Sequence, residues 1–249
     1  MEGLKVLRST QIIILGVCFV VATIASTLIL SKGLLKIKKF SSEVVSVTGS
    51  AEKKIVSDCI VWKAYFSRQE LELKAAYAKL QDDLKKVKAY LASKGIKDDE
   101  LVVSQVNTEA LYKKNEKGND LNQVEGYRLS QGIEVKSFDV QKVEGVSRQS
   151  TELIEQDIQL ISNSPEYFYT KLAELKIEML ANATEDAKKR AITMAQSTGN
   201  KIGAIRSAKM GTFQITPVNS YDVSWYGEND TSSYEKKVTA VVSASFAIE

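Results

Sequence analysis

The residues best suited to chemistry are gathered in one stretch, VTGSAEKKIVSDCIVW, from Val47 to Trp62. Gly49-Ser50 followed by Lys53-Lys54 would suit a phosphate cradle, and Cys59 beside Asp58 would suit a thiol nucleophile. Neither pattern is complete. A phosphate loop needs G-x-x-x-x-G-K-(S/T) running into a helix, whereas Gly49 has no second glycine and leads into an alternating apolar run. What remains for Gly49 is a turn or bulge with positive φ. A reactive cysteine needs a cation or a base to lower its pKa, and Cys59 stands between Asp58 and Ile60. The chain has no histidine, which removes Ser-His and Cys-His nucleophile pairs and His-ligated metal sites. Asp98-Asp99-Glu100 lacks the spaced oxygen donors of a calcium loop, and Asp186 with Arg190 reads as a surface or intersubunit ion pair. No catalytic residue, cofactor and metal ligand is assigned, and the chain is expected not to be an enzyme.

The strongest functional candidate is instead a loop, PVNSYDVSWYGENDTSSYE, from Pro217 to Glu235. Tyr221, Trp225, Tyr226 and Tyr234 place large apolar area in a segment otherwise shaped for solvent, and exposed aromatics are enriched in interface hot spots. The competing reading folds them back onto a sheet. These four residues are the candidate interface. Tyr167-Phe168-Tyr169 reads as core.

The elements that must position this loop follow from composition and periodicity. With 34 basic and 31 acidic residues interspersed over 249 positions, the chain has no clustered basic face, and no nucleic-acid partner is expected. Two prolines argue against a disordered or linker-rich chain. Cys18 and Cys59 are the only cysteines, one in an apolar N-terminal run and one in a strand beyond it, so no disulfide pairing is expected. Residues 12–30, IIILGVCFVVATIASTLIL, carry no charge and as a helix would span roughly 28 Å, about the thickness of a bilayer core. A short tail (1–11), this anchor (12–30) and a basic juxtamembrane linker (31–42) therefore precede a folded domain at 43–249. A cleaved secretory signal competes with the anchor, although its apolar part should be shorter and end in a small-x-small site. A lipoprotein signal is weaker still, because Val17 is too bulky before Cys18. Positive charge after the span favours a cytoplasmic second flank, while the short tail and single span followed by a large domain favour export.

Strands are expected over Ser41–Gly49 and Ile55–Ser67, the latter with Val56, Ile60, Trp62, Ala64 and Phe66 on one face. Leu73, Tyr77, Leu80, Leu84, Val87 and Leu91 form a helical stripe closed by Gly95, with Asp82, Asp83, Lys85, Lys86 and Lys88 on its outer face. A hairpin over Leu101–Tyr112 and Val124–Lys136 follows, then a helix from Asp139 to Ile154 and a strand through Ile158, Leu160 and Ser162 that continues at Tyr167–Tyr169. A long helix, Lys171–Ser197, buries Leu172, Leu175, Met179, Ala183, Ala187, Ala191 and Met194 and ends at Gly199. Strands at Ile202–Phe213 and Tyr234–Ile248 complete the chain. The class is α+β, antiparallel sheets packed with long amphipathic helices, and the order of elements suggests an internal β-α-β-β duplication.

VSVTGSAEKKIVSD resembles the opening of the SIMPL domain, a V-x-V-x-G-x-(G/A) segment followed by a Pro-Asp pair. Gly49, Ala51 and Asp58 match, and Ser57 stands where proline is usual. Gly126-Tyr127-Arg128-Leu129-Ser130-Gln131 is similar to its G-Y-x-x-(S/T)-(Q/N) strand, and ATEDAKKRAITMAQSTGNKIGAI to its long helix and exit, through Ala183, Asp186, Ala187, Arg190, Ala191, Ala195, Gly199 and Gly203. The resemblance implies a bacterial protein of the cell envelope, secreted or held in the cytoplasmic membrane with its domain in the periplasm or outside the cell. It also implies an association with oxidative-stress defence and assembly into ring-shaped or channel-like homo-oligomers. It supplies no catalytic residues. The expected function is thus self-assembly or binding of an envelope partner. The alternatives are a monomeric periplasmic binding module working through residues 217–235, or a thiol-based redox protein using Cys59.

Overall fold

The described residues of the computed structural model are 2–220 and 224–249, with side chains described over 14–35, 43–220 and 224–249. The chain begins with one helix, α1 (Glu2–Ser42), whose stretch Ile14–Leu35 is fully exposed. Its 22 residues rise about 33 Å, enough to cross a membrane; a signal sequence meets the same criterion. Residues 31–42, expected as a linker, continue that helix.

The remainder separates into two compact units. One comprises Met1–Ser50, Leu180–Gly211 and Val241–Glu249, and the other Ala51–Met179 and Thr212–Ala240. The strands are β1 (Val44–Val56), β2 (Cys59–Glu70), β3 (Leu101–Val103), β4 (Asn107–Lys114), β5 (Asp120–Ser137), β6 (Gln159–Ser162), β7 (Glu166–Phe168), β8 (Ile202–Met210), β9 (Gln214–Pro217) and β10 (Glu235–Ile248). The helices after α1 are α2 (Leu73–Ser93), α3 (Val140–Gln149) and α4 (Leu172–Ser197). One sheet runs β1-β10-β8 with β9 also on β10. The other runs β3-β5-β2-β6, with β4 on β5 and β7 on β2. All recorded strand pairings of the second sheet are antiparallel, so the class is α+β as the patterning implies.

In the larger unit β2 is the central strand. Its alternation puts Ile60, Trp62, Ala64 and Phe66 wholly inside, against Leu129, Ile133 and Val135 of β5 and the stripes of α2 and α3. Burying each such large side chain is worth about 1.5–3 kcal/mol. The Trp62 indole donates to Ser162 Oγ at 3.0 Å, so its one polar atom is satisfied. Val56, expected on this face, is exposed, because β1 ends there and the chain turns before β2.

The α2 stripe is rotated from the expected one. Ala76, Leu80, Asp83, Val87, Tyr90 and Leu91 are buried, while Leu73 and Tyr77 are exposed. Asp83, assigned by pattern to the outer face, accepts two hydrogen bonds from the Arg68 guanidinium of β2, Nε to Oδ2 and Nη2 to Oδ1. A carboxylate enters a core only with such a partner. Gly95 adopts φ +81° as the C-cap requires, and Ile96 N donates to Leu91 O at 3.0 Å. Asp139 N-caps α3 through Lys142 N at 3.2 Å; the helix then tightens into a 3₁₀ turn over Ser150–Gln156.

In the smaller unit the C-terminal half of α4 lies on β1. The contact side is built from small residues: Ala183, Ala187 and Ala191 are completely buried, while Met194, expected inside, is exposed. Gly49 meets them. A Cβ built on it would stand 2.3 Å from both Ala183 O and Ala187 N. Gly49 sits within unbroken strand and has no positive φ, so its role is close backbone approach rather than the turn expected from sequence. Ser50 N donates to Asp186 Oδ2 at 2.8 Å beside this contact.

A displayed aromatic turn as the candidate functional site

Gln214, at the start of β9, is 9% exposed and directs most of its amide to the loop that follows. Its Oε1 accepts from Ser224 N at 3.2 Å and Glu228 N at 2.8 Å; its Nε2 donates to Ser224 O at 2.7 Å and Thr212 Oγ1 at 3.2 Å. Ile215 adds two main-chain bonds, N to Glu228 O and O from Asp230 N, each 2.9 Å. Between these anchors Ser224–Gly227 closes a tight turn, with Gly227 N on Ser224 O at 3.1 Å and Gly227 at φ +89°. A Cβ there would meet Phe213 O at 2.8 Å, so position 227 needs glycine on both counts.

The turn holds Trp225 and Tyr226 clear of the protein, 95% and 97% exposed. Two adjacent large aromatics left in water on a pinned backbone present contact area for which the loop itself is already ordered. Of the four aromatics singled out by sequence, these two stand together. Tyr234 does not join them: it packs against the core of the larger unit, its ring 5.9 Å from that of Tyr167. Tyr221 lies outside the described residues. Gln214 was missed by sequence reasoning, since a lone glutamine in a polar loop gives no periodic signal.

Below the turn, Lys236 is buried, its Nζ donating to Tyr167 O at 2.6 Å and to Asp230 O. Burial pushes its pKa down, against the pull of the Asp230 charge. Asp230 is pushed up by burial but pulled further down by hydrogen bonds from Ser232 and Ser233. These contacts close the loop from beneath.

The other candidates lie within the strands, helices and turns of the fold. Cys59 is 2% exposed, and burial raises its thiol pKa, with Lys136 lowering and Asp58 raising it further. The segment Gly49–Lys54 is strand. In the acidic triplet, Glu100 accepts from Ser137 Oγ and from Lys97 N at 3.0 Å, and the Ser137 bond leads in holding its carboxyl below the usual range. Asp186 pairs with Arg190 at 2.8 Å within one helix.

The family model SIMPL, described as a protein of unknown function (DUF541), matches residues 45–246. The chain belongs to the SIMPL family. No curated protein matches it. The positions that carry the SIMPL resemblance are structural ones: Gly49 and the alanines of α4 make one close contact, and Asp58 makes another. Asp58 Oδ1 accepts from Thr170 N at 2.7 Å and Oδ2 from Thr170 Oγ1 at 2.8 Å, fastening the segment that enters α4. Ser57, the departure from the SIMPL proline, donates its N–H to Tyr234 O at 3.0 Å, a bond proline could not make. Its buried hydroxyl has no hydrogen-bond partner among the described residues.

Proposed function

We propose that this chain is a membrane-anchored, envelope-facing, non-enzymatic SIMPL protein that works by assembling with copies of itself on the periplasmic side of the bacterial cytoplasmic membrane. The observation that carries the assembly reading is the pinned turn with Trp225 and Tyr226 at 95% and 97% exposure. An apolar pair so displayed on an ordered backbone is the form that interface hot spots take. The non-enzymatic reading is supported by the absence of histidine and by a buried thiol held away from its anion. The anchor is supported by the exposed apolar stretch Ile14–Leu35. The link to oxidative-stress defence rests on the family resemblance.

Light scattering on the detergent-solubilised full-length chain tests the reading. A mass above the monomer is expected, and W225A/Y226A should weaken association by about a thousandfold if each ring is worth about 2 kcal/mol. A wild-type chain monomeric across the accessible concentration range overturns it.

A second reading, a monomeric binding module, is favoured by one observation. Tyr234 lines a depression of about 600 Å³ together with Ser57, Asp58, Phe138 and Asp139, in which a small ligand would lie against its ring. A monomeric wild type whose Tyr234 responds to added ligand would favour it.

A further inference from the structure

The helix α1 is longer than the membrane it can cross. Its charge-free stretch ends at Leu30, and residues 31–42 keep a helical backbone before β1 begins at Val44. At 1.5 Å per residue this extension rises about 18 Å, whereas each headgroup layer is only about 5–8 Å deep. The extension reads SKGLLKIKKFSS. Lys32, Lys36, Lys38 and Lys39 supply its charge, and no acid lies between Glu2 and Glu43. By spacing, positions 32, 36 and 39 share one face of a helix. The positive charge therefore runs as a stripe along the axis, from about 3 Å to about 14 Å beyond Leu30. Leu34, Leu35, Ile37 and Phe40 are interleaved with it, and Leu34 and Leu35 are 61% and 64% exposed. Open water gives such apolar residues no partner, and hydrocarbon gives none to the lysines. The composition suits the layer between, where apolar side chains reach the acyl chains and lysine stems carry their charge to phosphate.

We infer that residues 31–40 are a binding surface for anionic phospholipid headgroups, in the leaflet through which α1 passes into the folded domain. The inference rests on the anchored reading above and adds the class of lipid the anchor gathers. Contiguity fixes the occupant. Lys32 follows the charge-free stretch by two residues, so the headgroup layer is the first surface the stripe meets. Charge fixes the class. A phosphodiester headgroup without a cation keeps its negative charge, whereas choline or ethanolamine cancels it within the same headgroup. A lysine stripe gains from the first and little from the second, about fivefold in association for each lysine near an anionic surface. The opposite flank of the span carries Lys5 and Arg8 with Glu2 beside them, a smaller positive excess.

Lipid selectivity of the full-length chain, reconstituted in phosphatidylcholine vesicles, tests this. Spin-labelled phosphatidylglycerol and spin-labelled phosphatidylcholine are compared by electron paramagnetic resonance for the fraction immobilised against the protein. The wild type should prefer the glycerol lipid by about twofold or more, averaged over the lipids around the helix. High salt should shrink the preference, an arm that needs no variant. K32Q/K36Q/K38Q/K39Q, which keeps good helix formers, should lose most of it, and K5Q/R8Q should keep most of it. Equal immobilisation of the two probes by the wild type overturns the inference and leaves the anchor standing. A preference that survives the quadruple substitution, or one abolished by K5Q/R8Q, places the lipid contact elsewhere and also overturns it. A wild-type chain that fails to float with the vesicles sinks the anchored reading, and this inference with it.

Discussion

Replacing Gly49 tests the packing of the smaller unit at its tightest point. A Cβ there would lie 2.3 Å from Ala183 O, 2.3 Å from Ala187 N and 2.7 Å from Ala187 Cα. All three are backbone atoms of a helix, so no side chain can swing aside. Contact at 3.4 Å or more requires strand and helix to separate by roughly 1 Å, and a close-packed interior resists this. Overpacking costs about 1–3 kcal/mol, and the lack of any yielding neighbour puts Gly49→Ala near 3 kcal/mol. The shift should also loosen the Ser50–Asp186 hydrogen bond. Gly145→Ala, in α3 with nothing within 4 Å of the new methyl, is the control and should gain roughly 0.5–1 kcal/mol. The assay is urea denaturation followed by circular dichroism, with hydrogen exchange across Leu180–Ser197. Gly49→Asn separates close approach from a turn role. A positive-φ turn would tolerate asparagine better than alanine, whereas close approach makes it worse. Refutation would be an alanine variant within about 0.5 kcal/mol of wild type, or an asparagine variant more stable than the alanine one.

Gln214→Ala removes three hydrogen bonds to the aromatic loop and one to Thr212 and should cost about 2–4 kcal/mol; fast exchange at the Ser224 and Glu228 amides would report the unpinned turn. Arg68→Met strands the Asp83 carboxylate, whose side chain is 2% exposed, and should cost about 3–5 kcal/mol, with Arg68→Met/Asp83→Leu recovering most of it in the same denaturation assay. Glu100, whose folded pKa lies below the ordinary 4.5 chiefly through Ser137, stabilises the fold above that value. Its contribution is lost as pH falls through the lowered folded value. Glu100→Gln should therefore flatten the acid limb of the stability curve and leave the neutral region parallel to wild type.

Where one residue type forces one structure, the sequence was readable. The alternation of Ile60, Trp62, Ala64 and Phe66 specified β2 and its buried face, and Gly95 and Gly199, both at positive φ, marked two helix ends. Periodicity failed where a polar residue is buried with a distant partner: Asp83 looks solvated until Arg68, 15 residues away, is seen to reach it. The break between the first two strands was placed near Gly49 because glycine usually marks a turn, but β1 runs on to Val56. Strand β9 left no signal at four residues. In the candidate site, the aromatics of 217–235 were legible by composition. That Trp225 and Tyr226 face water while Tyr234 folds inward depends on Gln214 and Tyr167, contacts that no local pattern encodes.

The chain contains two tryptophans, and the fold sends them to opposite environments: Trp62 is wholly inside with its indole N–H bonded, and Trp225 stands 95% in water. The protein thus carries two separable fluorophores without labelling. Iodide quenches only the outer one, and a blue shift of the quenchable emission signals that something has settled on the turn. Loss of the unquenched component signals that the core has opened. Occupancy and unfolding can be followed in a single cuvette.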